Sequence, residues 1–172
     1  FESTACDDPN SFKIGIIDSG MSISHPDTPC GPSGNPTNCK GISFGLSTGV
    51  EWYNPTDPHG THIAGTIGAI GKNNLGVAGM LQDDDVCYLI ARVFGDDDKS
   101  TSTSSVVAAV EWLEDQGAKV INMSLGGSNR SNLLGKAIAE VSANGVLVIA
   151  SSGNGGAAVT ALNYPASYPD VI

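Results

Sequence analysis

The stretch DPHGTHIAGT, residues 57–66, sets two of the chain's three histidines, His59 and His62, three positions apart among glycines, threonines and an aspartate. Imidazoles so placed could ligate a metal, pack a core or supply a catalytic base. A zinc pair is a poor reading, because no HExxH glutamate follows and no third ligand is evident. A base needs an acceptor on one ring nitrogen so that the other can take a proton. Asp18 closes the apolar run FKIGIID (12–18), and a carboxylate ending a buried strand is costly unless it is hydrogen-bonded or paired. It could cap its own turn through Ser19 and Gly20, or it could orient His59; spacing alone does not bring the two together. Asn154, in SSGNGG (151–156), offers a side-chain amide among glycines. Such an amide could donate to a developing oxyanion, or simply occupy a turn.

The elements that must position these residues are legible as short apolar runs. FKIGIID (12–18), VCYLIARVF (86–94), KVINMSL (119–125) and GVLVIAS (145–151) are nearly continuous rather than alternating, as strands covered on both faces should be. KGISFGL (40–46) is a weaker fifth. Helical patterns lie between them. THIAGTIGAIG runs to a stop at Gly71; 102–118 carries apolar residues at 106, 107, 110 and 113 with Gly117 as the stop; 131–145 carries them at 133, 134, 138 and 141 with Gly145 as the stop. Alternating strands and helices predict an α/β fold, a three-layer doubly wound, mostly parallel sheet with helices on both faces. Ligands in such sheets bind beyond the carboxyl ends of the strands. Asp18-Ser19-Gly20, Gly95 with Asp96 to Asp98, Gly126-Gly127 and Ser152 to Gly156 all fall there, which makes that edge the expected active site.

The 172 residues carry a net charge of −10, which argues against a nucleic-acid-binding surface. Hydrophobic content of 40%, charged content of 15% and 22 glycines describe a loop-rich globular chain of one domain. No apolar run approaches the ~20 residues of a membrane span, and no signal peptide is present in the sequence, so a secreted chain would be expected to be a processed form. There is neither GxGxxG nor GxxxxGK[ST], which disfavours a nucleotide-binding module. The Asp triplets at 83–85 and 96–98 read as solvated turns, with a cation site or a substrate-facing acidic rim as the alternatives. Cys6, Cys30, Cys39 and Cys87 show no CxxC spacing; their even number suggests two disulfides and an oxidising compartment, against four free buried thiols. Three connectivities are open. Cys30 and Cys39 bracket the turn segment GPSGNPTN, and pairing them leaves Cys6–Cys87, each just before an apolar run, as suits two parallel strands starting on one sheet edge.

GIIDSG, HGTHIAGT, NMSLGG and SSGN, in that order, resemble the subtilisin-like serine proteases, the subtilases, and the resemblance covers the chain from residue 12 onward. SHPD (24–27) and NNLGVAG (73–79) add to it. The resemblance implies that Asp18 is the triad aspartate, His59 the general base, Asn154 the oxyanion donor, and His62 a packing residue within its helix. Ser124, Leu125 and Gly126 would form one wall of the primary specificity pocket and Ser151, Ser152 and Gly153 the other, with Asn163 of LNYPASYP as a polar pocket base. Gly95 to Ser100 would be the edge that pairs with an extended peptide. Here it reads GDDDKS instead of a glycine-rich segment, and Asp97 and Asp98 would favour basic substrate side chains. The chemistry would need no cofactor. A structural Ca²⁺ site would draw on the side chains of Asp27 and Asn73 and the carbonyls of Gly71, Leu75 and Val77, an oxygen-only set. The family's further ligand, from the N-terminal segment, has no match in FESTACDDPN.

The family's nucleophile sits in a Gly-Thr-Ser stretch after the SGN element. This sequence contains GTH and GTI but no GTS. The resemblance therefore implies that residues 1–172 are the N-terminal part of a single subtilisin-like peptidase domain, truncated before the serine-bearing part. A second chain or a C-terminal segment would carry the serine, and this chain alone would be inactive. The expectation is a secreted endopeptidase acting on peptides or proteins, made as a zymogen with a propeptide or inhibitor as a further partner, and with no nucleic acid or membrane. A non-catalytic, peptide-binding pseudoprotease is the alternative.

Overall fold

The computed structural model describes residues 5–82, 85–156 and 162–172; Asp83 and Asp84 of the first aspartate triplet lie outside them. Five strands form one parallel sheet: β1 (Phe12–Asp18), β2 (Cys39–Ser43), β3 (Val86–Arg92), β4 (Val120–Met123) and β5 (Leu147–Ala150). Their order is β2-β3-β1-β4-β5, so β1 is central. The register sets Asp18 beside Arg92 of β3, both at the carboxyl edge. Three helices fill the crossovers: α1 (His59–Gly68), α2 (Thr103–Asp115) and α3 (Asn132–Ala143).

The continuous apolar character of β1 and β3 follows from burial on both faces. Ile17, Leu89 and Ala91 join α2 and α3 in one core, whereas Ile14, Ile16, Tyr88 and Ile90 pack with Ala64 of α1 in the other. α2 sits tightly on β1, since a β-carbon added at Gly15 would meet Leu113 Cδ1 at 2.7 Å. The helix starts are serine caps. Ser102 accepts from the Ser105 N–H and Ser131 from the Leu134 N–H, each satisfying an otherwise unpaired donor. Gly117 and Gly145 follow α2 and α3 with φ of 85° and 91°, the left-handed stop that glycine takes without penalty.

Several boundaries differ from the sequence expectation. β1 spans its whole apolar run and β2 begins one residue before its own, whereas β3 and β4 stop two residues short of the ends of theirs and β5 is trimmed at both ends. α1 stops at Gly68 rather than Gly71, as Ala69 turns to φ −56°, ψ 138°. Leu133 is exposed, since the core stripe of α3 is Leu134, Ala137, Ile138 and Val141. His62 is exposed on α1 rather than packed; the buried line of that helix is Gly60, Ala64 and Gly68. Disulfides join Cys6 to Cys87 and Cys30 to Cys39, with Cα atoms 4.8 and 6.0 Å apart. Among the described residues no helix is long and apolar enough to cross a membrane.

Candidate active site

The end of β1 and the start of α1 meet at the carboxyl edge. Asp18 is buried, 1% exposed. Its Oδ1 accepts from the Ser19 N–H at 2.7 Å and lies 2.8 Å from His59 Nδ1. Asp18 Oδ1 therefore meets both its own turn and the His59 ring. Its Oδ2 is buried and has no partner among the described residues. Ser19 stitches the two elements, with Oγ accepting from the Gly60 N–H at 3.0 Å and donating to the Asp57 carbonyl at 3.3 Å. Gly60 has to be glycine, because a β-carbon there would fall on the Gly20 carbonyl. That close approach is what brings the His59 ring to Asp18.

The backbone of His59 is held as well. Asp57 Oδ1 accepts from the His59 N–H at 2.9 Å, and Lys99 Nζ is 3.3 Å from Asp57 Oδ2. The hydrogen bond from His59 holds the Asp57 carboxyl below its usual range, outweighing burial, and Lys99 adds to it. The His59 side chain stays 54% exposed, so its second nitrogen is open to a reacting group.

A buried arginine ties the edge segment to this corner. Arg92 Nε donates to the Phe94 carbonyl at 2.9 Å and Nη1 to the Glu51 carbonyl at 2.8 Å. Nη2 pairs with Asp96 Oδ1 at 2.8 Å. Asp96 also accepts from the Thr56 N–H at 2.7 Å and hydroxyl at 3.0 Å. These bonds, led by the Thr56 N–H, hold the Asp96 carboxyl below its ordinary value. Segment 95–96, the loop entering His59 and the end of β3 are thus tied together by hydrogen bonds. The signal for it was Arg92 itself, a charge inside an apolar strand run, which demands partners.

A cleft of about 600 Å³ opens beside His59. Of the residues expected at the site, it gathers Asp18, His59, Asp98, Ser124, Leu125 and Gly126. Phe94, Val106, Leu134 and Tyr164 give it apolar walls, though their periodicity marked Val106 and Leu134 only as helix core. Gly95, Asp97, Ser151, Ser152, Gly153, Asn154 and Asn163 do not line it. Residues 151–156 are exposed, Asn154 among them, in the loop that leaves β5 beside β4 through the bond from the Ser151 N–H to the Met123 carbonyl at 3.2 Å. Gly127 and Tyr164 exchange backbone hydrogen bonds of 2.9 and 2.8 Å, laying 162–165 antiparallel to the first wall. From there Asn163 Nδ2 reaches the Ser151 carbonyl at 3.3 Å.

Of the residues expected at a calcium site, Asp27, Asn73, Leu75 and Val77 are linked by hydrogen bonds, whereas the Gly71 N–H donates to Gln82 Oε1 at 2.7 Å. Asp27 is 4% exposed. Its Oδ1 accepts from Asn73 Nδ2 at 2.9 Å and its Oδ2 from the Val77 N–H at 2.8 Å, while Asn73 Oδ1 accepts from the Leu75 N–H at 3.0 Å. The Asn73 bond, then that from Val77, holds the Asp27 carboxyl below its usual range despite burial. Gly76, at φ 40°, lies so close that a β-carbon would meet the carboxylate. The donors are oxygens of the hard type calcium takes, and each carboxylate oxygen keeps a lone pair beyond the N–H it accepts. Among the described residues no group of three or more His, Cys, Asp or Glu side chains gathers as for a transition metal.

A model of the Subtilase family matches residues 10–172. The chain belongs to the Subtilase family. Subtilisin DY of Bacillus licheniformis is 35% identical over 165 residues, covering 94% of this chain and 55% of the relative. Subtilisin E of Bacillus subtilis (strain 168) is 33% identical, covering 95% of this chain and 40% of the relative. This subtilase chain thus spans about half the length of the curated relatives it matches. Among solved structures, the psychrophilic subtilisin-like protease Apa1 from the Antarctic psychrotroph Pseudoalteromonas sp. AS-11 superposes with a TM-score of 0.78 at 40% identity, over 94% of this chain and 35% of that one. The likeness extends to the parallel α/β sheet on which the subtilase Asp18 and His59 meet.

Proposed function

We propose that this subtilase is a secreted serine endopeptidase, for which the chain supplies the general base, its orienting aspartate and the oxyanion donor. The observation that carries the reading is the 2.8 Å approach of His59 Nδ1 to a buried Asp18 carboxylate, with the rest of the ring open at a cleft. A proton on Nδ1, donated to Asp18, leaves the other ring nitrogen as the base. That nitrogen takes the hydroxyl proton of a serine as its oxygen attacks the peptide carbonyl. The tetrahedral oxyanion accepts from Asn154; collapse expels the amine, which takes the proton from His59. Water then repeats the sequence on the acyl-enzyme and regenerates the serine. The serine belongs to a second chain or C-terminal segment outside these 172 residues, and the chain alone lacks activity. The two disulfides favour an oxidising, extracellular setting. A propeptide or protein inhibitor would use the same peptide edge. Asp98 at the cleft, with Asp97 beside it, favours basic substrate side chains.

A structural Ca²⁺ would be held by Asp27, Asn73 and the carbonyls of Gly71, Leu75 and Val77. It would supply positive charge that reinforces the loop, and chelation is then expected to lower the melting temperature.

The test is reaction of the native protein with a fluorophosphonate probe, read by denaturing intact mass. The expected result is one adduct on a serine outside residues 1–172, lost in His59→Ala. A native protein that takes no probe would instead make the cleft a peptide-binding groove without turnover.

A further inference from the structure

The sequence holds four Asn-x-Ser/Thr triplets, at 35–37, 54–56, 122–124 and 129–131. The pattern marks asparagines that accept an N-linked oligosaccharide, provided that the middle residue is not proline. Asn35-Pro36-Thr37 and Asn54-Pro55-Thr56 fail on that ground. The fold separates the other two. Asn122 sits in β4, an interior strand, in register with Ile16 of β1 and Ile149 of β5. Its Nδ2 donates to Ser124 Oγ at 2.9 Å, so the amide and the hydroxyl of that triplet are bonded to each other, and Met123 between them is fully buried. An oligosaccharide on Asn122 would keep β4 out of the sheet. Asn129 and Arg130 are exposed, in the loop between β4 and α3. The loop is anchored just beyond them: the Ser131 N–H donates to the Tyr168 hydroxyl at 2.9 Å, and Ser131 Oγ caps α3. A sugar on Asn129 therefore projects from a fixed point and displaces no packed residue.

We infer that Asn129 carries an N-linked oligosaccharide. The inference rests on the secreted reading above and goes beyond it by naming a modified residue. The donor is an oligosaccharide on a polyprenyl pyrophosphate, supplied where a eukaryotic chain enters the secretory pathway. Asn129 Nδ2 bonds to C1 of the reducing-end N-acetylglucosamine as the bond from C1 to the pyrophosphate oxygen breaks. The pyrophosphate leaves with that electron pair, and a base of the transferase takes the amide proton. Transfer to the nascent chain precedes folding, so the fold acts as the filter. A sugar on Asn122 blocks the sheet, whereas one on Asn129 stays in water, where a bulky polar group belongs. It stands at the rim of the cleft beside His59, which Asn129 lines.

The test uses the full-length protein, serine-bearing segment included, secreted from cultured eukaryotic cells. A peptide N-glycosidase removes the sugar and converts the carrying asparagine to aspartate, so digestion in water enriched in oxygen-18 leaves the heavy isotope at that position. Peptide mapping is expected to find the label at position 129 and none at 122. Before digestion, Asn129→Gln should be lighter than wild type by a whole oligosaccharide. Ser131→Thr, which keeps both the triplet and a capping hydroxyl, should retain the sugar. Secreted protein without label at 129, or with label at 122, overturns the inference. If Asn129→Gln fails to fold, the wild-type map still decides. Unlabelled protein that stays inside the cells would sink the secreted reading together with this one. Labelled protein that takes no fluorophosphonate would sink the endopeptidase reading and leave Asn129 as the glycan site.

Discussion

The two halves of the active-site edge are built differently. On the β1 side, Asp18, Ser19, Asp57, His59 and Gly60 are linked by hydrogen bonds of 2.7 to 3.3 Å, and Arg92 with Asp96 ties the neighbouring edge segment to the same corner. On the β5 side, Ser151 to Gly156 are exposed, and the side-chain bond that reaches them comes from Asn163. β1 is the central strand, so its end is flanked by β3 and β4, whereas β5 lies at the edge of the five-stranded sheet. The difference teaches that the Asp18–His59 pair, proposed above for proton transfer, is held by dense local bonding. Asn154, the proposed oxyanion donor, is carried on an exposed loop after a strand whose outer side pairs with Val171 and Ile172.

The largest effects should separate these halves. His59→Ala is expected to reduce turnover of the full-length protein by several orders of magnitude, and Asp18→Asn by on the order of 10⁴-fold, with folding retained. Asn154→Ala should cost less, about 10²- to 10³-fold in kcat with KM little changed. Equal losses on both sides would erase the contrast, and wild-type rates in His59→Ala would remove it from the mechanism.

A stability experiment comparing wild type with Asp96→Asn probes the β1 side. Asp57 and Asp96 have their carboxyls held below the ordinary value by bonds that form only on folding. A depressed native pKa stabilises the fold above the unfolded value of about 3.9, and the gain disappears as pH falls through the native value. Melting temperature should therefore fall as the pH is lowered below about 4. Asp96→Asn should be less stable than wild type at neutral pH and lose less on acidification. Parallel curves for the two proteins would show that the Arg92–Asp96–Thr56 network does not contribute to folding. Asp27, also depressed, adds the same sign of dependence from outside the site.

The smallest effect concerns the rim. Asp98 lines the cleft, but it is exposed, and exposed charge pairs are worth about 0–1 kcal/mol. Asp98→Lys should lower kcat/KM for peptides with a basic side chain facing that edge by a few-fold, and the effect should shrink as salt is raised. Subsite preference that ignores the reversal would mean the second aspartate triplet is a solvated turn.

Much of the frame was legible because its causes are local. Continuous apolar runs marked four of the strands; serine starts and glycine stops marked α2 and α3. The expected disulfide partners also lie together, since their spacing relative to strand starts constrained them. The errors came where burial depends on distant chain. His62 and Leu133 carry the right residue type for an inner face, yet both are exposed, because helix phase relative to the sheet is a tertiary quantity. Val106 and Leu134 read as core and are also cleft wall. Arg92 and Asp96 do not read as a pair in the sequence, because one ends a strand and the other sits in an acidic run.

By itself, then, the sequence determined the element order, the subtilase motifs and which residues have the chemistry for proton transfer, since residue type and local periodicity are properties of the chain. Only the tertiary structure decided that Asp18 and His59 touch, that Gly60 lies against Gly20, and that Asn163 occupies the gap between Gly126 and Ser151. Those are distances between segments far apart in the chain. They follow from β1 being central and from backbones that approach closely at glycine, which no one-dimensional pattern encodes.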